Sequence, residues 1–182
     1  PMAEKNRLII PITCWVVAEC CDKLKEWERR GIYDVDLSIN LSAVWFNHQN
    51  DETSDFIIRT IREAGICPSR IKLEITESVL ISDAEKIIGM LQSMKDQGLK
   101  LALDDFGTGY SSFGYMKDIP LDFLKLDRSL ITALEDERDQ MIVRSMITIA
   151  HGLELRVVGE GVETQKQFEF LREQGCDLIQ GY

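Results

Sequence analysis

The sequence predicts an α/β fold of parallel strands joined by helical crossovers, and three observations carry that expectation. Segments whose apolar residues recur at three- and four-residue steps alternate with segments of period two. No stretch between them reads as a hairpin turn, and polar residues gather at the C-terminal ends of the period-two segments. The alternation alone suits either a doubly wound sheet or a barrel. In a barrel the C-terminal strand ends carry the reactive groups, which is where the polar residues gather. Six strands are visible and a full (β/α)8 barrel needs about 250 residues. Of the two, the barrel is the fold that the motifs quoted below imply: a TIM-like (β/α)8 barrel incomplete in this chain, with the first strands and the C-terminal end missing.

In chain order, Ile12, Val16, Cys20, Leu24 and Trp27 describe a buried helical stripe that Gly31 stops. From Asp36 to Ser42 the period changes: Leu37, Ile39 and Leu41 alternate with Ser38, Asn40 and Ser42, as in a strand with two chemically different faces. A helix over Asp55 to Ala64 ends at Gly65, and a strand follows at Ile71 to Thr76. The next helix starts near Ser82 and Asp83 and places Ile87, Ile88, Leu91 and Met94 on its apolar side. It stops at Gly98 and leads to the strand Leu101 to Asp105. Strand Phe123 to Asp127 precedes a long helix, Glu137 to His151, whose apolar side carries Met141, Ile142, Met146, Ile149 and Ala150. Strand Leu155 to Glu160, a helix with Phe168 and Leu171 ending at Gly175, and a last strand, Leu178 to Tyr182, complete the reading. The whole chain, 1–182, is expected to form one domain, cut at both ends.

Composition bounds the function. With 182 residues, 45% hydrophobic and 29% charged, the chain is an ordinary globular sequence with room for one sizeable core. No run approaches the roughly 20 apolar residues of a membrane span, and no signal peptide opens the chain. The formal net charge of −10 disfavours a basic DNA- or RNA-binding surface, so a phosphate ester bound here needs cations beside it. Cys14, Cys20, Cys21, Cys67 and Cys176 have no metal-ligand spacing and are expected to be reduced packing residues in a cytosol.

Asn40, Glu74, Asp104, Lys125, Glu160 and Gln180 each fall at or near the C-terminal end of a different strand. Lys72, Glu74 and Thr76 share one parity and Ile71, Leu73 and Ile75 the other; Lys125 alternates with Leu124 and Leu126 in the same way. One such residue is most often a solvated loop charge or a cap, whereas six in register point to a shared mouth. Carboxylates and an amide oxygen are hard donors suited to Mg²⁺ or Mn²⁺. His48 and His151 lie away from strand ends, which argues against zinc; His48 reads as a loop residue and His151 as a helix-end cation. Asp104 and Asp105 are adjacent, so both reach one site only if the strand ends there, and their mutual repulsion calls for cations.

The run Asp104-Asp105-Phe106-Gly107-Thr108-Gly109-Tyr110-Ser111-Ser112 resembles the signature loop of EAL-type cyclic di-GMP phosphodiesterases. Asn40-Leu41-Ser42, Glu74-Ile75-Thr76-Glu77-Ser78, Lys125-Leu126-Asp127, Glu160-Gly161-Val162-Glu163-Thr164 and Gln180-Gly181-Tyr182 are similar to that family's other motifs, in its order. The resemblance implies a barrel that hydrolyses cyclic di-GMP to linear pGpG with two Mg²⁺ or Mn²⁺ ions. It implies Asn40, Glu74 and Asp104 as ligands of one ion, with Asp104 shared, and Asp105 and Glu160 as ligands of the second. Lys125 then orients or activates the attacking water, Glu77 holds the glycine-containing loop, and Gln180 lies near the metal and its water. The partners implied are cyclic di-GMP, a second copy in a homodimer, and fused sensory or GGDEF-type domains, with the domain in the cytoplasm.

Two departures stand out. The Glu-Ala-Leu tripeptide that names the family is absent, because the sequence starts downstream of its strand, so one ligand carboxylate and a substrate-binding Arg have no counterpart. Gly159 stands where the family commonly has Ala, a change expected to be without chemical consequence. Against the hydrolase stand a degenerate domain that binds the nucleotide or a protein without turnover, an enolase-like proton abstraction by a Lys beside bound Mg²⁺, and a glycosidase carboxylate pair. Intact Asp104, Asp105, Lys125 and Glu160 weigh against the first, and the Gly107 to Ser112 loop with Glu77 against the second. A glycosidase requires neither the Lys nor the Asn.

Overall fold

Period-two alternation is realised where it is clearest. Ile71, Leu73 and Ile75 are fully buried on one face of a strand, while Lys72 and Thr76 on the other face are only half-buried. The computed structural model describes residues 2–47, 51–81, 84–107 and 116–182, with side chains for all of these except 51–55, 80 and 81. Six strands are described: β1 (Leu37–Asn40), β2 (Ile71–Thr76), β3 (Lys100–Phe106), β4 (Phe123–Leu126), β5 (Arg156–Val162) and β6 (Leu178–Gly181). Helices alternate with them: α1 (Met2–Lys5), α2 (Ile9–Arg29), α3 (Ala43–Asn47), α4 (Asp51–Glu63), α5 (Ala84–Asp96), α6 (Arg128–Thr132), α7 (Glu137–Gly152) and α8 (Gln165–Glu173). This is the strand and helix order of an incomplete TIM-like barrel.

The chain divides into two compact units, Pro1–Leu101 and Ala102–Tyr182. In the first, β1 runs parallel to β2 with Asn40 opposite Glu74, and Leu41 N–H donates to the Glu74 carbonyl at 2.8 Å. Arg70, buried just before β2, donates to the Val35 carbonyl and to Glu28 of α2 at 2.6 Å, which ties the entry of β1 to the end of that helix. In the second unit β3, β4, β5 and β6 pair in sequence order, all parallel. Ala102, Phe123 and Val158 form one buried apolar cluster. They share strand parity with Asp104, Lys125 and Glu160, so an apolar layer lies beneath the polar one on the same face. Arg156 stacks on Phe123, its guanidinium 4.2 Å from the ring centroid, at the opposite end of that face.

Two helical stripes differ from expectation. In α2 the buried residues are Thr13, Val17, Cys21 and Leu24, while Ile12 is exposed and Val16 and Trp27 are half-buried. Apolar residues flank both choices of stripe there, and Thr13 joins the core because its hydroxyl is satisfied by the Ile9 carbonyl at 2.8 Å. In α7 the core side is Val143, Ile147 and Ala150; Met141, Ile142 and Ile149 face solvent. The expected helix start at Ser82 and Asp83 lies outside the described residues. The five cysteines are free thiols, and burial pushes the Cys21 thiol up to about 11. Among the described residues no helix is long and apolar enough to cross a membrane.

Gly159 has a packing consequence that its sequence context conceals. A Cβ there would lie 2.8 Å from Leu171 Cδ1 and 3.6 Å from Cys176 Sγ, so the bare backbone lets α8 close onto β5. Gly161 is constrained differently: its φ is +68° and a Cβ would fall 2.9 Å from Arg128 Cβ. Gly89, inside α5, faces open space. Gly161→Ala is therefore expected to destabilise by about 1–3 kcal/mol, and Gly89→Ala to stabilise by about 0.5–1 kcal/mol. Thermal unfolding of the two variants beside the parent checks this; equal melting temperatures for both would contradict the reading of Gly161.

Candidate functional site

β3, β4 and β5 present Asp104, Lys125 and Glu160 from one face, above the Ala102, Phe123 and Val158 layer. Lys125 is 6% exposed, and its Nζ lies 2.8 Å from Asp104 Oδ1 and 2.7 Å from Glu160 Oε1. An ammonium buried that deeply requires such partners, because desolvation of an isolated charge costs several kcal/mol. Asp104 itself is 9% exposed, and its carboxylate also accepts the Asp105 N–H at 3.0 Å.

Asp105 follows from a break in the strand. Its φ is +55°, a left-handed conformation that non-glycine residues seldom adopt, and the β3–β4 register shifts between Leu103 and Phe106. The bulge removes the strict up-down alternation that would send Asp104 and Asp105 to opposite faces. Burial first, and then the charges of Asp104 and Asp127, raise the Asp105 carboxyl above its ordinary value, with Lys125 opposing. A second register shift lies between Glu160 and Val162, at Gly161, and sets where β5 delivers Glu160. Gln180 stands beside Glu160 in the β5–β6 register and is exposed.

In the first unit Asn40 and Glu74 are register partners at the ends of β1 and β2; Asn40 is exposed and Glu74 7% exposed. Glu77, half-buried, opens the short 3₁₀ helix Glu77–Ile81 that follows β2. His151 ends α7 as expected and meets Asp177 at 2.9 Å, away from the strand ends. His48 and the loop from Thr108 to Ser112 lie outside the described residues.

Two features went unread in the sequence. Asp127 caps α6, accepting from Ser129 N–H at 2.8 Å and from its hydroxyl, which holds its carboxyl below the usual range. An Asp at a strand end with Ser two residues later was the available signal. Arg128 pairs with Glu163 at 2.7 Å across the ends of β4 and β5, a contact between residues 35 apart that no local pattern announces.

The donor set fits a hard divalent cation in kind. Asp104, Asp105 and Glu160 against Lys125 leave a formal −2 in the second unit, and all the candidate donors are oxygens. Among the described residues no three acidic, thiol or imidazole side chains close around a single ion position, and the Lys125 ammonium bridges Asp104 and Glu160.

Comparison with known proteins identifies the family and the fold. The model of the EAL domain matches residues 1–182. The bifunctional diguanylate cyclase/cyclic di-GMP phosphodiesterase MucR of Pseudomonas aeruginosa is 39% identical over 183 residues, covering 100% of this chain and 26% of that protein. The solved structure of the PaMucR phosphodiesterase in a c-di-GMP complex superposes with a TM-score of 0.92 at 38% identity, over 100% of this chain and 73% of that one. A manganese/cyclic di-GMP complex of Klebsiella pneumoniae BlrP1 gives a TM-score of 0.83 at 26% identity, over 100% of this chain and 45% of that one. The chain spans about a quarter of the length of the curated relatives it matches.

The raised Asp105 carboxyl has a signed consequence. Its native form holds a proton more tightly than the unfolded chain, so its contribution to stability is intact below the ordinary value of 3.8 and is lost as pH rises through the raised value. Asp105→Asn is expected to raise the melting temperature at pH 7 in the presence of a chelator, with the gain shrinking toward pH 4. A gain of equal size at both pH values would assign the effect to backbone conformation and not to charge.

Proposed function

This chain belongs to the EAL domain family, and from that membership we propose that residues 1–182 are the larger part of one domain that hydrolyses cyclic di-GMP to linear pGpG. The observation that carries the reading is Lys125 held between Asp104 and Glu160 above an apolar floor, with Asp105 exposed at the bulge that follows Asp104. An acidic chain handling a doubly charged phosphodiester needs bound cations, and the relatives include a manganese complex of the same nucleotide. Asn40, Glu74 and Asp104 would hold one Mg²⁺ or Mn²⁺, and Asp105 and Glu160 the second. Such ions supply a lowered water pKa and offset charge on the attacking and leaving oxygens.

The chain's own residues do the positioning. The two carboxylates at 2.8 and 2.7 Å fix the position of the Lys125 ammonium, which is placed to orient the water oxygen for in-line attack. In the hydrolysis the water oxygen bonds to phosphorus, one P–O bond to a ribose breaks, and the departing oxygen takes a proton. Gln180, beside Glu160, offers an amide to the same water. Glu77 takes the loop-bracing role that family membership implies for it, acting on position and not on substrate. The domain acts in the cytoplasm, as a homodimer, beside sensory or GGDEF-type domains.

Incubation with cyclic di-GMP and Mn²⁺ is expected to yield pGpG, and binding without product would move the chain to the receptor class. Lys125→Ala should lower kcat by about 10²–10⁴ with KM little changed; an unaltered kcat would remove Lys125 from the chemistry. Glu77→Ala should raise the Mn²⁺ concentration needed for half-maximal rate and leave the melting temperature unchanged. Full activity of that variant at low Mn²⁺ would make Glu77 a rim charge only.

A further inference from the structure

We propose that the groove between α4 and α5, away from the strand ends, is a docking site for an acidic amphipathic helix supplied by another protein segment. The groove has a volume of about 610 Å³ and lies wholly within the first unit. Its floor is apolar, with Ile58 and Met90 half-buried and Met94 buried. Arg59, Arg62 and Lys86 also line it, with Glu63 the one carboxylate among the described lining residues, on a chain of net charge −10. Arg59 is exposed and makes no ion pair among the described residues, while Arg62 donates to Gln97 across the groove.

Gly89 gives the groove its shape. A glycine in mid-helix is unfavourable relative to alanine, and a Cβ at Gly89 would touch nothing within 4 Å, so packing inside this chain does not require it. Its effect is a notch in the α5 surface between the apolar floor residues. Thioether side chains adapt to varied partners, and an amphipathic helix laid in a groove presents anchors at three- and four-residue steps. Charge complementarity selects the acidic version: guanidinium groups at the rim pair with carboxylates, and basic helices are repelled. A small metabolite is a poorer occupant, because the groove is open and its floor offers no buried polar side chain to orient one. In the curated relatives the matched stretch is about a quarter of the protein, so a domain of this kind works beside other polypeptide segments.

The test uses a fluorescein-labelled peptide of about 16 residues with Leu on one helical face and Glu on its flanks. A scrambled peptide of the same composition and a Lys-for-Glu version serve as probes of specificity. By fluorescence anisotropy the acidic peptide is expected to bind about tenfold tighter than either, more weakly as salt rises. Arg59→Glu with Lys86→Glu should weaken it about tenfold or more, as should Gly89→Trp, which fills the notch without lowering the melting temperature. Hydrolysis of cyclic di-GMP should be unchanged in both variants. Equal binding of scrambled and acidic peptides, unaltered affinity in both variants, or competition by inorganic pyrophosphate alone would overturn the proposal. A change in the chain's own sedimentation on Gly89→Trp would also overturn it, by assigning the groove to a second copy.

Discussion

The buried ammonium of Lys125 constrains the second unit more than any other group. It is carried by a four-residue strand whose flanking residues, Leu124 and Leu126, are fully buried, so its position is fixed by the core, and its charge needs Asp104 and Glu160 from the two neighbouring strands. Removal of one partner from such a group leaves an unpaired buried charge, a loss of about 3–5 kcal/mol. The pairing therefore fixes side chains from three separate strands, and the apolar layer of Ala102, Phe123 and Val158 keeps water from reaching the ammonium from below.

Around this cluster the regular strand geometry is broken twice, and each break serves placement. The left-handed residue at Asp105 and the bulge at Gly161 lie where β3 and β5 leave the sheet, and each changes which way the following side chain points. Backbone in a sparsely populated region costs about 1–3 kcal/mol, and it persists where the surroundings over-determine it. At Asp105 that strain adds to the burial and the neighbouring carboxylates that raise its carboxyl.

Much of this was legible in the sequence because strand parity is a local property. Lys72, Glu74 and Thr76 against Ile71, Leu73 and Ile75 specify two faces, and the six polar residues at strand ends follow from the same count. The helical stripes were harder. In α2, Val16 and Val17, like Cys20 and Cys21, offer two adjacent apolar rows, and only the tertiary contacts choose between them; Thr13 enters the core through a hydroxyl bond invisible to hydropathy. The Arg128–Glu163 pair and the close contact of Gly159 with Leu171 join segments far apart in the chain, so no spacing rule reaches them. The turn of Asp105 was anticipated only as a strand ending, whereas the chain continues as strand to Phe106 through a bulge.

The central proposal is that the strand-end carboxylates and Asn40 are the ligands of the cations. Paramagnetic broadening of backbone amide signals by substoichiometric Mn²⁺ measures this directly, since the effect falls steeply with distance and does not depend on turnover. The account predicts selective loss of the Asn40, Glu74, Asp104, Asp105 and Glu160 amide signals, while those of Cys67 and His151 persist. Broadening centred elsewhere, or spread evenly over the acidic surface, would contradict it.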